Sequence, residues 1–312
     1  METKTRTLEG IHHITAVTAD ARANLDFYTR VLSLRLVKKS VNQDDPTAYH
    51  LFYSDERGSP GADLTFFEYP GAGGGRAGAG MVHRIVWRVR SDAALDFWEE
   101  RLRRERIAPT REGRVLSFAD PEGLGLALAV TEATDEPLAA AHPEIPPDVA
   151  LLGFDGVRAY AVDPEASRAF LERGLALHSR GGITYEARGS QRGSFYTYDQ
   201  TDREGVPGAG TVHHVAWASP MEDHEAWRQR VLESGGGPTP VIDRYYFRSI
   251  YFREPSGVLF EIATVGPGFT TDEPLERLGE RLALPPKFEP LRDRLENVLT
   301  PLPNPRERWV RR

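Results

Sequence analysis

The pattern of apolar and polar residues in one part of the chain occurs again about 130 residues later. Residues 81–89 (MVHRIVWRV) and 211–219 (TVHHVAWAS) have matching patterns that predict β-strands. Each is followed by a segment with apolar residues at helical spacing, 92–107 and 222–235. A strand, a turn and a second strand come next in both cases. The two stretches therefore predict the same local structure twice.

A second pair of stretches, 10–34 and 153–177, is similar in a weaker way. Each predicts a strand, then a helix that begins near an aspartate, Asp20 or Asp163, then further strands. All four units thus read β-α-β-β-β or close to it. The pattern predicts an α+β fold built from four βαβββ modules.

We expect the four units to pair in chain order into two domains, 8–132 and 150–266. A linker rich in proline and alanine, 131–148, separates them. Residues 267–312 form a tail with two short helical patterns punctuated by prolines. We expect this tail to wrap the surface or to contact a partner subunit, so a homo-oligomer is one expectation.

Composition narrows the range of functions. The 312 residues carry 39 Lys and Arg against 46 Asp and Glu, a net charge of −7, which argues against nucleic-acid binding. No apolar run approaches the roughly 18 residues of a membrane span, and the polar N-terminus does not resemble a signal peptide. We expect a cytoplasmic protein with no nucleic-acid or membrane partner. The chain has no cysteine, so any metal must be held by His, Asp or Glu.

The duplication provides an internal control for a carboxylate in an apolar strand. Glu261, in LFEIAT, aligns with Ala127, in LALAV, after the same type of turn. Ala127 indicates that the fold itself does not require a carboxylate there. Because a lone buried carboxylate is costly, Glu261 predicts an ion pair or a metal ligand.

Two His-His pairs also differ from their counterparts. His214 aligns with Arg84, and His13 aligns with Gly156. Strand alternation sends the two members of a pair to opposite faces, so only one of each can enter a common site. The strand pattern alone does not choose between His12 and His13.

Two imidazoles and one carboxylate form the facial triad suited to Fe(II) or Mn(II), with open positions for substrate and dioxygen. Ligand type alone does not exclude zinc. The alternative is a structural hydrogen-bond network. We interpret four other histidines as structural: His50, His142, His178 and His224.

The motifs GIHHITAVTAD, TVHHVAW and DRYYFRSIYFREPSGVLFEIAT occur in this order, followed by the tail GFTTDEPLERLGERLALPPKFEPLRDRLENVLTPLP. In order and spacing the chain resembles the vicinal oxygen chelate superfamily, also called glyoxalase/bleomycin-resistance/extradiol dioxygenase. More narrowly, it resembles the dioxygenases that open hydroquinone-type rings. The similarity covers nearly the whole chain.

The resemblance implies a mononuclear Fe(II) site with His13, His214 and Glu261 as ligands. It also implies further residues around the metal or substrate: His12, Thr15, His213, Arg244 and Tyr251. Arg244 and Tyr251 differ in strand parity, so we expect a bend or bulge between them. The alternatives are a surface salt bridge for Arg244, hairpin packing for Tyr251, and packing against a helix for His12 and His213.

The working hypothesis is an Fe(II)-dependent dioxygenase that opens a hydroquinone- or catechol-type ring with O2. A glyoxalase-type isomerase or lyase using Zn or Ni is the first alternative. Such sites need a second carboxylate, and Ala127 removes the symmetric candidate. The second alternative is a ligand-sequestering protein of the bleomycin-resistance kind, which would need no metal.

Overall fold

The computed structural model describes residues 6–308, and it shows four units in chain order. Each unit has four strands with a helical segment after the first. The strands of unit 1 are β1 (Ile11–Thr18), β2 (Arg35–Val41), β3 (Tyr49–Ser54) and β4 (Asp63–Glu68). Those of unit 2 are β5 (Met81–Val89), β6 (Thr110–Glu112), β7 (Val115–Ala119) and β8 (Gly125–Val130). Those of unit 3 are β9 (Phe154–Ala161), β10 (His178–Ser179), β11 (Thr184–Arg188) and β12 (Gly193–Gln200). Those of unit 4 are β13 (Val212–Ser219), β14 (Ile242–Asp243), β15 (Arg248–Arg253) and β16 (Leu259–Thr264).

The helical segments follow the predicted positions. They are α1 (Ala21–Asp26) in unit 1, α2 (Asp92–Arg104) in unit 2, α3 (His224–Glu233) in unit 4 and α4 (Arg292–Val298) in the tail. In unit 3 the equivalent segment is a 3₁₀ turn, Pro164–Ser167, followed by one π-helical turn, Phe170–Gly174. The side chain of Asp20 accepts hydrogen bonds at the start of α1, as the sequence indicates. The predicted α+β class with four βαβββ modules is confirmed.

The strands form two eight-stranded mixed sheets. The first sheet has the order β14-β15-β16-β13-β1-β4-β3-β2, and the second has the order β10-β11-β12-β9-β5-β8-β7-β6. Unit 1 therefore shares a sheet with unit 4, and unit 2 shares one with unit 3. Each sheet thus combines one unit from each of the predicted domains, 8–132 and 150–266, and this division itself stays a prediction. A repeat pattern defines each unit, but it carries no information about which other unit completes the sheet.

Each sheet packs its helices against one face and leaves the other face to line a pocket. Trp98 of α2 and Trp227 of α3 are fully buried at matching positions; α2 contacts β7 and β8, and α3 contacts β16. Burial of such large apolar surfaces is the main stabilising contribution to these layers. The opposite faces, which we call the first cup and the second cup, are lined by polar and aromatic side chains.

Two glycine-rich connectors cross between the sheets and pair with each other. Gly74 bridges to Ala209, and Arg76 bridges to Val206. A Cβ atom on Gly78 would lie 2.3 Å from the backbone nitrogen of Gly205, so only glycine fits at this crossing. The connectors hold unit 4 beside unit 1.

The described part of the predicted tail packs on unit 1. The guanidinium of Arg35 donates to the carbonyl of Leu275, and Thr300 donates to the carboxylate of Glu68. Residues 309–312 of the predicted tail lie outside the described residues. Within residues 6–308, none of the helices combines the length and the apolar character that crossing a bilayer requires.

Candidate metal centre and active site

Three buried side chains with metal-binding atoms converge in the first cup. The Nε2 atoms of His13 and His214 lie 3.2 Å apart, and Oε2 of Glu261 lies 3.2 Å from the first and 3.0 Å from the second. Within residues 6–308, this is the one cluster of three such ligands. The structure thus brings together the three residues that the sequence singled out.

Strand register explains why these side chains meet. β1, β13 and β16 are neighbours in the sheet, and His13, Ala216 and Glu261 lie in one row across them. His214 precedes Ala216 by two residues on the same strand, so both face the same side. The methyl group of Ala216 leaves open space at the centre of the three larger side chains.

Both His-His pairs lie at β-bulges, which changes the expected alternation. In the β1–β13 pairing His12 has no opposite residue, and the same is true of His213 on the other strand. A bulge re-aims side chains, so both members of a pair can approach each other. The Nδ1 atoms of His12 and His13 are 3.0 Å apart, and those of His213 and His214 are 2.8 Å apart.

The cluster lacks a proton donor for one carboxylate oxygen. Ser249 donates to Oε1 of Glu261, whereas Oε2 is buried without a hydrogen-bond partner. Burial raises the pKa of Glu261, but positive charge at the facing imidazoles of His13 and His214 outweighs it and holds this pKa well below its usual range, and a bound cation would act in the same direction. An ionised carboxylate and two imidazole nitrogens therefore face one point.

The donor set and its spacing fit a metal ion. Ligand atoms about 2.1 Å from a metal and at right angles to each other lie about 3 Å apart. The three distances at the cluster match one triangular face of such an octahedron. This is the facial arrangement of two histidines and one carboxylate, which leaves the opposite face open.

His12 holds His13 in the orientation that metal binding needs. Its Nε2–H donates to the carbonyl of Thr264, 3.1 Å away, and burial lowers the pKa of His12 to about 3, so the ring is neutral. The Nδ1 atom of His12 must then accept a hydrogen bond from Nδ1–H of His13. The lone pair of His13 is consequently on Nε2, at the cluster.

We expect the substitution His12→Phe to weaken metal binding about 10- to 100-fold, because the orienting hydrogen bond to His13 is lost. Chelator competition measures this affinity. His224→Phe, at another buried histidine outside the cluster, is the matched control and should leave the affinity unchanged. Equal affinity in His12→Phe and the parent chain would contradict the orienting role.

A chain of hydroxyl groups connects the cluster to His50. Thr15 Oγ1 lies 2.9 Å from Nε2 of His214 and 2.8 Å from Oγ1 of Thr65. Thr65 Oγ1 lies 2.9 Å from Nε2 of His50. Burial lowers the pKa of His50 well below its usual value, so this ring is neutral at pH 7. The groups form a continuous hydrogen-bonded path along one wall of the cup.

The pocket beside the cluster has about 460 Å³ of empty space, part of it open to solvent. Its aromatic walls come from Phe52, Phe67 and Phe247, and the ring of Phe247 lies 5.1 Å from that of His13. Such flat apolar walls suit an aromatic ring. The polar part of the lining consists of Ser40, Asn42, Gln43, Asp44, His50, Arg244, Tyr246 and Tyr251.

Arg244 and Tyr251 both line the pocket, and the chain bends between them as expected. Arg244 precedes β15 in a tight loop where Tyr245 has φ +72°. The Arg244 guanidinium forms two 2.9 Å hydrogen bonds to Asp44, and it lies 5.4 Å from the centre of the Tyr251 ring. This pairing lowers the pKa of Asp44. Arg244 is thus salt-bridged, but within the pocket lining.

His12 and His213 do not line the pocket. His12 is buried beside His13 and Phe247. His213 is exposed, with its ring 5.7 Å from that of Phe67. Each ring contacts the neighbouring cluster histidine through Nδ1.

The pocket also contains a residue that sequence reasoning missed. His50 was interpreted as structural, yet it lies in the pocket with its ring 4.0 Å from Phe52 and 4.5 Å from Phe67. The sequence pattern gives little indication of this position, because a single histidine in a strand is usually a satisfied polar group. The same strand parity as Phe52 was the available hint.

Fold and site together define a protein of βαβββ units with a possible three-residue metal site, and comparison with known proteins gives the family. The family model described as the glyoxalase/bleomycin resistance protein/dioxygenase superfamily matches residues 10–128 and 153–262. The chain belongs to this superfamily.

Several relatives match along nearly their whole length. The chain is 39% identical over 313 residues to a Bacillus subtilis protein named "Putative ring-cleaving dioxygenase MhqA", covering 95% of this chain and 99% of the relative. It is 33% identical over 307 residues to the chlorohydroquinone/hydroquinone 1,2-dioxygenase of Sphingobium indicum, covering 92% and 95%. A crystal structure titled as a "putative dioxygenase" from Bacillus subtilis superposes with a TM-score of 0.90 at 39% identity, covering 96% of this chain and 99% of that one.

Proposed function

We propose that this protein is an Fe(II)-dependent dioxygenase that cleaves a hydroquinone-type aromatic ring with O2. The observation that carries the proposal is the triangle of His13, His214 and Glu261, whose atoms lie 3.0 to 3.2 Å apart. Two histidines and one carboxylate with open positions are typical of non-haem Fe(II) oxygenases. The name of the Sphingobium relative supports a hydroquinone as the first substrate to test.

Iron, when bound, would supply a Lewis acid for a phenolic hydroxyl and a route for electrons from the ring to O2. In the overall reaction, the bond between the hydroxyl-bearing carbon and its neighbour breaks. Each of these two carbons gains one oxygen atom from O2. Mn(II) offers the same coordination geometry and is the alternative metal.

The walls of the pocket would bind and orient the ring. Phe52, Phe67 and Phe247 offer apolar faces that exclude water from it. The Arg244 guanidinium and the Tyr251 hydroxyl provide hydrogen-bond donors for oxygen atoms that become negative. Burial raises the pKa of Tyr251, so its hydroxyl keeps the proton at neutral pH.

His50 would take up the proton that the phenolic hydroxyl loses. Its ring is neutral, and its Nε2 atom is held in place by the hydroxyl of Thr65. Because His50 itself lines the pocket, it can accept this proton directly from a bound substrate. This role follows from the position of His50 in the pocket lining.

We expect His50→Gln to lower kcat by about 10²- to 10⁴-fold while bound metal stays at the parent level. Oxygen uptake and metal analysis of the same preparation measure both quantities. His178→Gln, at an exposed histidine of β10 in the second sheet, is the control and should leave kcat unchanged. An unaltered kcat in His50→Gln would exclude the proton-acceptor role.

Anaerobic purification, metal analysis and oxygen uptake with hydroquinone and catechol test the proposal as a whole. We expect about one iron per chain and oxygen consumption with hydroquinone. Zinc or nickel without oxygen uptake would instead support a glyoxalase-type isomerase. Neither metal nor turnover would support a ligand-sequestering protein. The single carboxylate of the cluster speaks against the isomerase, which needs a second one.

A further inference from the structure

The second cup lies at the place equivalent to the metal centre, but its chemistry is different. Gly156, Val86 and Ala127 lie in one row across β9, β5 and β8, as His13, Ala216 and Glu261 do in the first sheet. Gly156 and Ala127 offer no ligand atom. The pocket in this cup is open and wide, and its floor contains Arg84 and Arg158.

The two arginines replace polar groups of the metal centre. Arg84 is paired with Arg158 across β5 and β9, in the same register as His214 and Thr15 in the first sheet. Two guanidinium groups thus face the cup where the other sheet has an imidazole and a hydroxyl. Arg158 is paired with Asp199, so Arg84 is the arginine of the two that can attract a negatively charged ligand.

Three carboxylates also line the second cup, but no ion pair among residues 6–308 joins any of them to Arg84. Asp199 accepts hydrogen bonds from Arg158 at 2.8 and 2.5 Å, and it also lies 2.7 Å from Nε2 of His83. Asp155 lies 3.3 Å from Nε of Arg88, whose remaining contacts are to another carboxylate and a carbonyl. Glu112, the third carboxylate of the lining, is exposed at the edge strand β6.

Arg84 remains without a counter-charge in the described part of the chain. No ion pair and no hydrogen bond involves its side chain within residues 6–308, and its Nε atom is buried without an acceptor. A shielded guanidinium without an acceptor is unfavourable, because the desolvation cost is not offset. Arg84 lines the open second cup, where an acceptor from outside the chain can reach its guanidinium.

Aromatic rings form part of the wall of the second cup. The ring of Tyr160 stacks on that of His83 with centres 3.9 Å apart, and Phe195 lines the same pocket. A guanidinium presents two parallel N–H groups, which match the two oxygens of a carboxylate. We infer that the second cup binds a small aromatic carboxylate, with its carboxylate on Arg84 and its ring beside Tyr160 and Phe195.

Isothermal titration calorimetry of the full-length protein with benzoate tests this inference. We expect saturable binding to the parent chain and at least tenfold weaker binding to Arg84→Gln. Arg84→Lys keeps the charge but not the paired N–H groups, so its affinity should lie between these two. Benzamide, which has the same ring without the charge, should bind at least tenfold more weakly than benzoate. Thermal unfolding shows whether each variant remains folded.

Two control variants locate the binding. Glu261→Ala removes a metal ligand from the first cup and should bind benzoate as the parent does. Arg90→Gln changes the net charge equally at an exposed position after β5 and should also bind normally. The inference is overturned if benzoate does not bind saturably, if Arg84→Gln binds as tightly as the parent, or if Glu261→Ala abolishes binding. Failure of this test leaves the proposed dioxygenase function unaffected, because that function concerns the first cup.

Discussion

Replacement of Glu261 by alanine should abolish metal binding and turnover while the fold remains intact. The substitution removes the one carboxylate of the cluster, and two neutral imidazoles alone bind a divalent cation much more weakly. Ala127, at the equivalent place in the second sheet, is fully buried in a well-formed strand, so the fold accommodates alanine there. We expect the metal content to fall below about a tenth of the parent level, and oxygen uptake to fall by at least about 10³-fold.

Glu254 provides the matched control, because it is equally buried but has a structural environment. Its carboxylate accepts hydrogen bonds from the side chains of Ser167 and Tyr198 and from two backbone N–H groups of its turn. Glu254→Ala should therefore lower the free energy of unfolding without loss of metal. Elemental analysis and urea unfolding of both variants separate the two effects. Unchanged iron content in Glu261→Ala would rule out the metal assignment.

The contrast between these two glutamates explains what the sequence could predict. Both occur in strand–turn–strand segments, and hydrophobic pattern alone does not distinguish them. The internal repeat distinguishes Glu261, because the equivalent residue Ala127 indicates that the fold does not require a carboxylate there. The repeat likewise predicted the strands of each unit and the positions of the helical segments, since local pattern determines them.

The hydrophobic pattern does not predict contacts between strands that are far apart in the sequence. The pairing of unit 1 with unit 4 depends on β1 meeting β13, residues separated by about two hundred positions. The bulges at His12 and His213 are set by that same pairing, so alternation within one strand could not predict them. The hydrogen bonds from His50 to Thr65 and from Thr65 to Thr15 join three strands, so the pattern of one strand could not predict them either.

The buried ammonium of Lys38 attaches the tail to the rim of the first cup. It forms ion pairs with Asp272, at 2.7 Å, and with Glu273, and it lies 4.8 Å from the centre of the Tyr246 ring. The Tyr246 hydroxyl in turn donates to Asp272, and the ring of Tyr246 lines the pocket. Lys38 therefore connects the packing of the tail with the loop that carries Arg244.

Lys38→Met should reduce the free energy of unfolding by about 3–5 kcal/mol, because the side-chain volume is kept while buried carboxylates lose their cation. The midpoint of urea unfolding measures this loss. Lys39→Met is the control on the same strand: no ion pair within 4.0 Å involves Lys39 in residues 6–308, so we expect a change below about 1 kcal/mol. The double variant Lys38→Met/Glu273→Gln should recover part of the loss, since it removes the uncompensated charge of Glu273. A loss below about 1 kcal/mol in Lys38→Met would show that the tail is held by its apolar contacts instead.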